Sequence, residues 1–140
     1  MFWQQRGSVK SFPKFTFYGI VIPIVGSDWG VEFYEDERQA SPVQDFMNDL
    51  DPRRRAKLLA IVRLLEEQGP ALGFPYSSQL RGRLRELRAR HGREHYRVLY
   101  FGSPKRTFVL LHALSKRSAK IPQRDIDVAE QRMKRYLGER

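Results

Sequence analysis

The apolar residues of this chain change period at Gly69-Pro70, and that change restricts the fold more than any single residue does. Before it, Val43, Phe46, Met47 and Leu50 recur at helical intervals, and Leu58, Ile61, Val62 and Leu65 form a second such set. Positions i, i+3, i+4 and i+7 share one face of a 3.6-residue helix, so each set defines an amphipathic helix. Ser41-Pro42 opens the first: serine suits the N-cap, proline the first helical position, and Gln44 the third residue of a capping box. Asp51-Pro52 opens the second and Gly69-Pro70 closes it. The tight connection between them predicts an αα-hairpin.

After the loop Ala71–Gln79 the period is two, and Leu84–Arg90, Tyr96–Phe101 and Thr107–Ser115 read as strands. Gly92 and Gly102-Ser103-Pro104 lie in short connections, which favour an antiparallel meander. Pro122 or Asp125 starts a last helix with the stripe Ile126, Ala129, Met133, Tyr136 and Leu137. Val31–Tyr34 adds a short strand before the first helix. The expected architecture is α+β in the order β-α-α-β-β-β-α. It is an antiparallel sheet with the helical hairpin and the C-terminal helix packed on one face, leaving the other face polar. On the first meander strand Glu86, Arg88 and Arg90 point one way and Leu87 and Ala89 the other. Arg97 joins the basic side from the neighbouring strand.

Residues 1–28 differ from the rest. They hold six of the 17 aromatic residues and a single acid, Asp28. Phe15 to Val25 reads as a strand or hairpin broken at Gly19 and Pro23, as a poorly packing upstream extension, or as the result of a wrongly chosen start codon. The expected division is an N-terminal extension, 1–28, followed by one domain, 29–140, large enough for a modest core.

Charge is segregated along the chain. Residues 81–120 carry twelve basic side chains against Glu86 and Glu94, so the whole net charge of +10 resides there. The other 100 residues are neutral in sum. Solubility alone does not require such segregation, whereas a surface that meets polyphosphate does. The segment does not alternate as an amphipathic helix, which disfavours a membrane surface. With no cysteine, disulfides, thiol catalysis and cysteine-based zinc sites are excluded. The longest apolar run, Tyr18 to Val25, has eight residues and includes Pro23, far short of the roughly 20 needed to span a bilayer. No secretory-signal pattern is present at the N-terminus, so a cytoplasmic location is expected. Neither metal-ligand spacing nor a nucleotide-binding glycine loop nor a Ser/His/Asp arrangement occurs, so no metal or cofactor is expected.

Several segments in order carry a family resemblance: Val31-Glu32-Phe33-Tyr34, Ser41-Pro42-Val43 with Phe46, and Leu72-Gly73-Phe74-Pro75-Tyr76. Leu84-Arg85-Glu86-Leu87-Arg88 and Tyr96-Arg97-Val98-Leu99-Tyr100 follow. Val109 through Arg117 and Lys120-Ile121-Pro122 complete the set. Together, over about residues 29–137, they resemble the RelE/ParE superfamily, and most closely its HigB-type, phage-derived branch. The resemblance implies a RelE-like fold and the toxin of a type II toxin–antitoxin module. It also implies a cognate antitoxin, often a helix-turn-helix protein, and cleavage of mRNA on the ribosome by basic residues without a metal. On the family pattern Arg97 matches the arginine of the central strand and Arg117 the arginine just after the last strand. Arg88 and Arg90 fall near basic positions of the preceding strand. The chain departs from the RelE pattern in carrying Glu86 at a neighbouring basic position. It also lacks a tyrosine shortly after the last arginine, where Gln123 lies.

RNA is cleaved when a 2′-hydroxyl attacks the adjacent phosphate in line. A protein assists by positioning the nucleotide, moving protons and neutralising the charged transition state. Arginine offers planar, permanently charged donors for phosphate oxygens. The candidate catalytic residues are Arg97, Arg117 and Lys116. The candidate RNA contacts are Arg85, Arg88, Arg90, Arg93 and Lys120. The competing reading of Arg97 is an ion pair with a helix carboxylate, and Glu86 is expected to orient Arg88 or Arg97. His91 and His95, beside a strand connection, are lesser candidates for proton transfer. His112 shares parity with Phe108, Leu110 and Leu114 and reads as a core histidine. Tyr96 and Tyr100 read as packing rather than as base-stacking residues. Two other functions compete: a ParE-like non-enzymatic toxin that poisons DNA gyrase, and a non-toxic basic nucleic-acid-binding protein.

Overall fold

A computed structural model describes the backbone of residues 16–17, 20–21, 27–116 and 120–139, with side chains for the last two stretches. Strands β1 (Thr16–Phe17) and β2 (Ile20–Val21) pair antiparallel as a hairpin within the segment where sequence left strand and hairpin open. The remainder of residues 1–26 lies outside the described residues.

The main sheet has five strands: β3 (Gly30–Phe33), β4 (Ser77–Arg81), β5 (Leu84–His91), β6 (Glu94–Ser103) and β7 (Thr107–Lys116). Their spatial order is β3-β7-β6-β5-β4. The meander β4 to β7 is antiparallel, as the short connections require, but β3 runs parallel to β7, so the sheet is mixed. Two helices fill the connection from β3, which makes the parallel pairing possible. Strand β4 falls partly in the segment read as a loop. Only five residues long and at an edge, it lacks the run of alternating apolar residues that marked its neighbours.

Helix α1 (Pro42–Asn48) starts at Ser41, as expected, yet the Ser41 side chain makes no cap hydrogen bond and its buried hydroxyl has no partner among the described residues. The capping box is therefore not formed. Helix α2 (Pro52–Gln68) is capped by Asp51, whose carboxylate accepts from the Arg54 amide at 2.9 Å. It ends at Gly69, whose φ of 62° falls in the region glycine tolerates. Helix α3 (Gln123–Leu137) closes the chain.

The helices do not share one face of the sheet. Val43, Met47, Leu58, Ile61, Val62 and Leu65 of α1 and α2 pack on Val31, Leu87, Tyr96, Val98, Tyr100, Phe108 and Leu110. Ala129, Met133, Ile126, Tyr136 and Leu137 of α3 pack on the opposite face, against Leu84, Leu99, Phe101, Val109, Leu111 and Leu114. The physical reason lies in β6 and β7, where Val98–Phe101 and Phe108–Leu111 are apolar at every position. Both faces of those strands need cover, as in any sheet buried from two sides. Ion pairs and hydrogen bonds reinforce the docking of α3. Arg81 meets Glu130 at 2.7 Å, and Arg132 donates to the Leu111 carbonyl at 2.8 Å. Tyr136 donates to Glu32 at 3.1 Å, and burial, then the Glu32 charge, pushes its pKa up to about 12.

A bulge breaks the parity of β7. Leu99 pairs with His112 while Tyr100 pairs with Leu110, so Leu111 is the extra residue. His112 therefore leaves the side of Phe108 and Leu110 and faces α3, where Asp125 meets its Nε2 at 2.7 Å and Arg132 approaches its Nδ1 at 3.2 Å. It is a satisfied structural histidine, though on the opposite face from the one parity predicts. Among the described residues no helix is long and apolar enough to cross a membrane.

Candidate nucleic-acid interface

Alternation along β5 and its register with β6 assemble the basic site. Arg88 lies opposite Arg97 and Arg90 opposite His95, and directly opposed residues project from the same face. On the far side of β6, His95 lies opposite Lys116. No residue of α3 lines the cleft that Arg88, Arg90, His95 and Arg97 share.

Arg97 is the inner wall. Its side chain is 3% exposed, and Nε lies 2.8 Å from Oε1 of Glu86, itself 12% exposed. The same oxygen is 3.9 Å from Nε of Arg88. Glu86 thus stands between the two arginines, as the sequence suggested, and its carboxylate holds a cationic pair together at the centre of the site. The partner of Arg97 is a strand residue, not the helix carboxylate weighed against the functional reading. Burial draws the Arg97 pKa below the ordinary arginine value; Glu86 opposes the shift and Arg88 adds to it. An arginine in this situation remains charged at neutral pH.

His95 is the titratable group of the site. Desolvation, then the charges of Arg97, Arg90 and Arg88, hold its pKa below the ordinary 6.5. The imidazole is therefore neutral at pH 7 and able to accept a proton.

Arg88, Arg90, His95 and Arg97 line a cleft of about 530 Å³, closed on the other side by Lys57, Ile61 and Leu64 of α2 and by Phe74, Pro75 and Tyr76. Phe74 is 77% exposed and Tyr76 48% exposed, and they are the large hydrophobic side chains left open to solvent among the described residues. The Arg88 guanidinium carbon lies 5.4 Å from the centre of the Phe74 ring. Arg54 of α2 bonds Glu94 at 2.7 Å, tying the start of β6 to the helix beside the cleft.

The expected contacts do not all converge. Arg88 and Arg90 are in the cleft, and Lys116 is in register with its edge. Arg85 projects from the opposite side of β5, where its guanidinium donates to Ser77 Oγ at 3.1 Å and Tyr100 Oη at 3.3 Å. Arg93 is exposed in the β5–β6 turn and Lys120 is exposed ahead of α3. Arg117 lies outside the described residues. Tyr96 and Tyr100 are buried, in keeping with their packing role. Phe74, Tyr76 and Lys57 were not singled out as site residues by sequence. They reach the cleft through a loop and a helix distant in the chain, and only the exposure of two aromatics marks them. Among the described residues no three His, Cys, Asp or Glu side chains gather to hold a metal ion.

Residues 45–134 match the family described as phage-derived protein Gp49-like (DUF891), and the chain belongs to that family. Within the curated proteins it is 34% identical over 79 residues to "Putative toxin HigB2" of Mycobacterium tuberculosis (strain ATCC 25618 / H37Rv). The matched stretch covers 53% of this chain and 39% of that protein. Both agree with the HigB-type, phage-derived resemblance read from the sequence.

Proposed function

We propose that the chain is the toxin of a type II toxin–antitoxin module and acts as a metal-independent endoribonuclease on mRNA at the ribosome. The observation that carries this reading is the convergence of Arg88, Arg90 and Arg97 on one cleft beside His95, in a chain of this family. The arginines bind the scissile phosphate and its neighbours. Arg97 is already in the site, ion-paired with Glu86, so its charge is in place as the phosphorane-like transition state develops. His95 accepts the proton of the attacking 2′-hydroxyl. The new P–O bond closes a 2′,3′-cyclic phosphate, and the departing 5′-oxygen takes a proton from a cationic donor, for which Lys116 is placed opposite His95. Arg117, one residue beyond β7, completes the phosphate clamp, while Arg93 and Lys120 contact RNA further along the strand. The cognate antitoxin is a helix-turn-helix protein that neutralises this surface, and the active chain works in the cytoplasm.

Induced expression followed by primer extension on cellular transcripts tests the reading. In-frame cuts in translated messages, lost in Arg97→Ala and Arg117→Ala, are expected. Growth arrest with intact messages and damaged DNA would instead indicate a gyrase poison. Neither effect would leave a basic nucleic-acid-binding protein.

A further inference from the structure

The rim of the cleft holds chemistry that phosphate binding does not use. Isolated exposed apolar residues need no explanation, but Phe74 and Tyr76 are two rings on one short loop at the mouth of a cationic cleft. The loop is fixed to the sheet: Arg88 N–H donates to the Tyr76 carbonyl at 2.8 Å, and Tyr76 N–H to that of Gly73 at 3.0 Å. Arg88, seated over the Phe74 ring, joins this surface to the phosphate-binding groups. A ring face beside guanidinium groups matches an unpaired base on its charged backbone, because every base has a π-face and every nucleotide a phosphate. A helical protein segment would need an apolar stripe, and here Lys57, Arg88 and Arg90 interrupt it with like charges.

We propose that Phe74 and Tyr76 form a stacking platform for an unpaired nucleobase of the RNA, adjacent to the nucleotide whose phosphate the arginines hold. This rests on the ribonuclease reading and names how that site engages the base. Stacking is tolerant of sequence, so the platform contributes grip and alignment rather than hydrogen-bonded readout of one base.

The test uses the purified full chain and a short single-stranded RNA with 2′-O-methyl riboses, which block cleavage, carrying 2-aminopurine at one position. A second oligonucleotide is abasic at that position. The intact protein should quench the 2-aminopurine emission as the base stacks. Phe74→Leu and Tyr76→Leu keep bulk but remove the ring. Each should abolish much of the quenching and weaken binding by about tenfold, the scale of one lost stacking contact. Neither should alter binding of the abasic RNA, and Phe74→Tyr should restore both signals. Unchanged melting curves of these exposed-site variants confirm that the fold is kept. Wild-type quenching and affinity in both leucine variants would overturn the platform. In that case, loss of affinity for both RNAs in Arg90→Ala would leave the ribonuclease reading standing. Absence of salt-dependent RNA binding by the wild type would overturn both. Loss of antitoxin binding in the leucine variants, with RNA binding intact, would reassign the rings to a protein partner and overturn the proposal.

Discussion

Arg97 and Glu86 meet diagonally across the β5–β6 ladder, with Nε of the arginine 2.8 Å from a carboxylate oxygen, both nearly closed to solvent. The pair gives Arg97 a structural role beside the catalytic one proposed for it. Removing one partner strands the other charge in a poorly solvated place, at a cost of about 3–5 kcal/mol for buried pairs. Arg97→Ala is therefore expected to lower stability in a denaturant titration as well as to abolish toxicity. Arg97→Met combined with Glu86→Leu removes both charges and should recover most of the stability while remaining non-toxic. Toxicity in the folded double variant would remove Arg97 from the mechanism.

His95 predicts a pH profile. Its folded pKa is held below 6.5, first by desolvation and then by the surrounding arginines. Because the proposed base acts in its neutral form, cleavage should hold at neutral pH and fall as pH drops through the depressed His95 pKa. His95→Gln should flatten that acidic limb and reduce the rate. The same shift makes the folded state poorer in protons than the unfolded chain. The His95 contribution to stability is thus intact above 6.5 and declines as pH falls toward the folded pKa. A profile whose acidic limb survives His95→Gln would point to another base.

Arg90 and Arg85 lie on opposite faces of one strand and should behave oppositely. Arg90→Ala should weaken RNA binding and reduce the dependence of log affinity on log salt by about 0.7, one phosphate contact on a single strand. Arg85→Ala should leave that slope unchanged and lower the melting temperature, because its guanidinium bonds Ser77 and Tyr100 in the α1–α2 side of the structure. Titrations by fluorescence anisotropy at several salt concentrations decide between them.

Asp51 should matter for the stability of α2 but not for the chemistry. The Arg54 amide, and then the Arg54 side chain, hold its carboxyl below the ordinary value of 3.8. Asp51→Ala should lower the melting temperature at neutral pH. Because the folded pKa is depressed, the difference from wild type should persist above 3.8 and vanish as pH falls through the Asp51 pKa. Toxin activity below the melting transition should be unchanged.

Much of the fold follows from the order of residues alone. Helical spacing in Val43–Leu50 and Leu58–Leu65, two-residue alternation in Leu84–Arg90, and Asp51-Pro52 and Gly69-Pro70 at the helix ends are local instructions, readable because backbone geometry repeats at fixed intervals. The shared facing of Glu86, Arg88 and Arg90 was legible for the same reason, and a single cross-strand register added Arg97. Tertiary structure decided what depends on residues far apart in sequence. It set β3 parallel to β7 and sent α3 to the second face, because strands that are apolar on both sides demand two layers of cover. The β7 bulge turned His112 away from the side that alternation assigned it. The segregated basic charge was determined by the sequence. Alternation already set Arg85 on the side of Leu87 and Ala89; folding then paired Arg97 with Glu86 and gathered Arg88, Arg90 and His95 opposite Phe74, Tyr76 and Lys57. Desolvation and cross-strand proximity exist only once the sheet has formed.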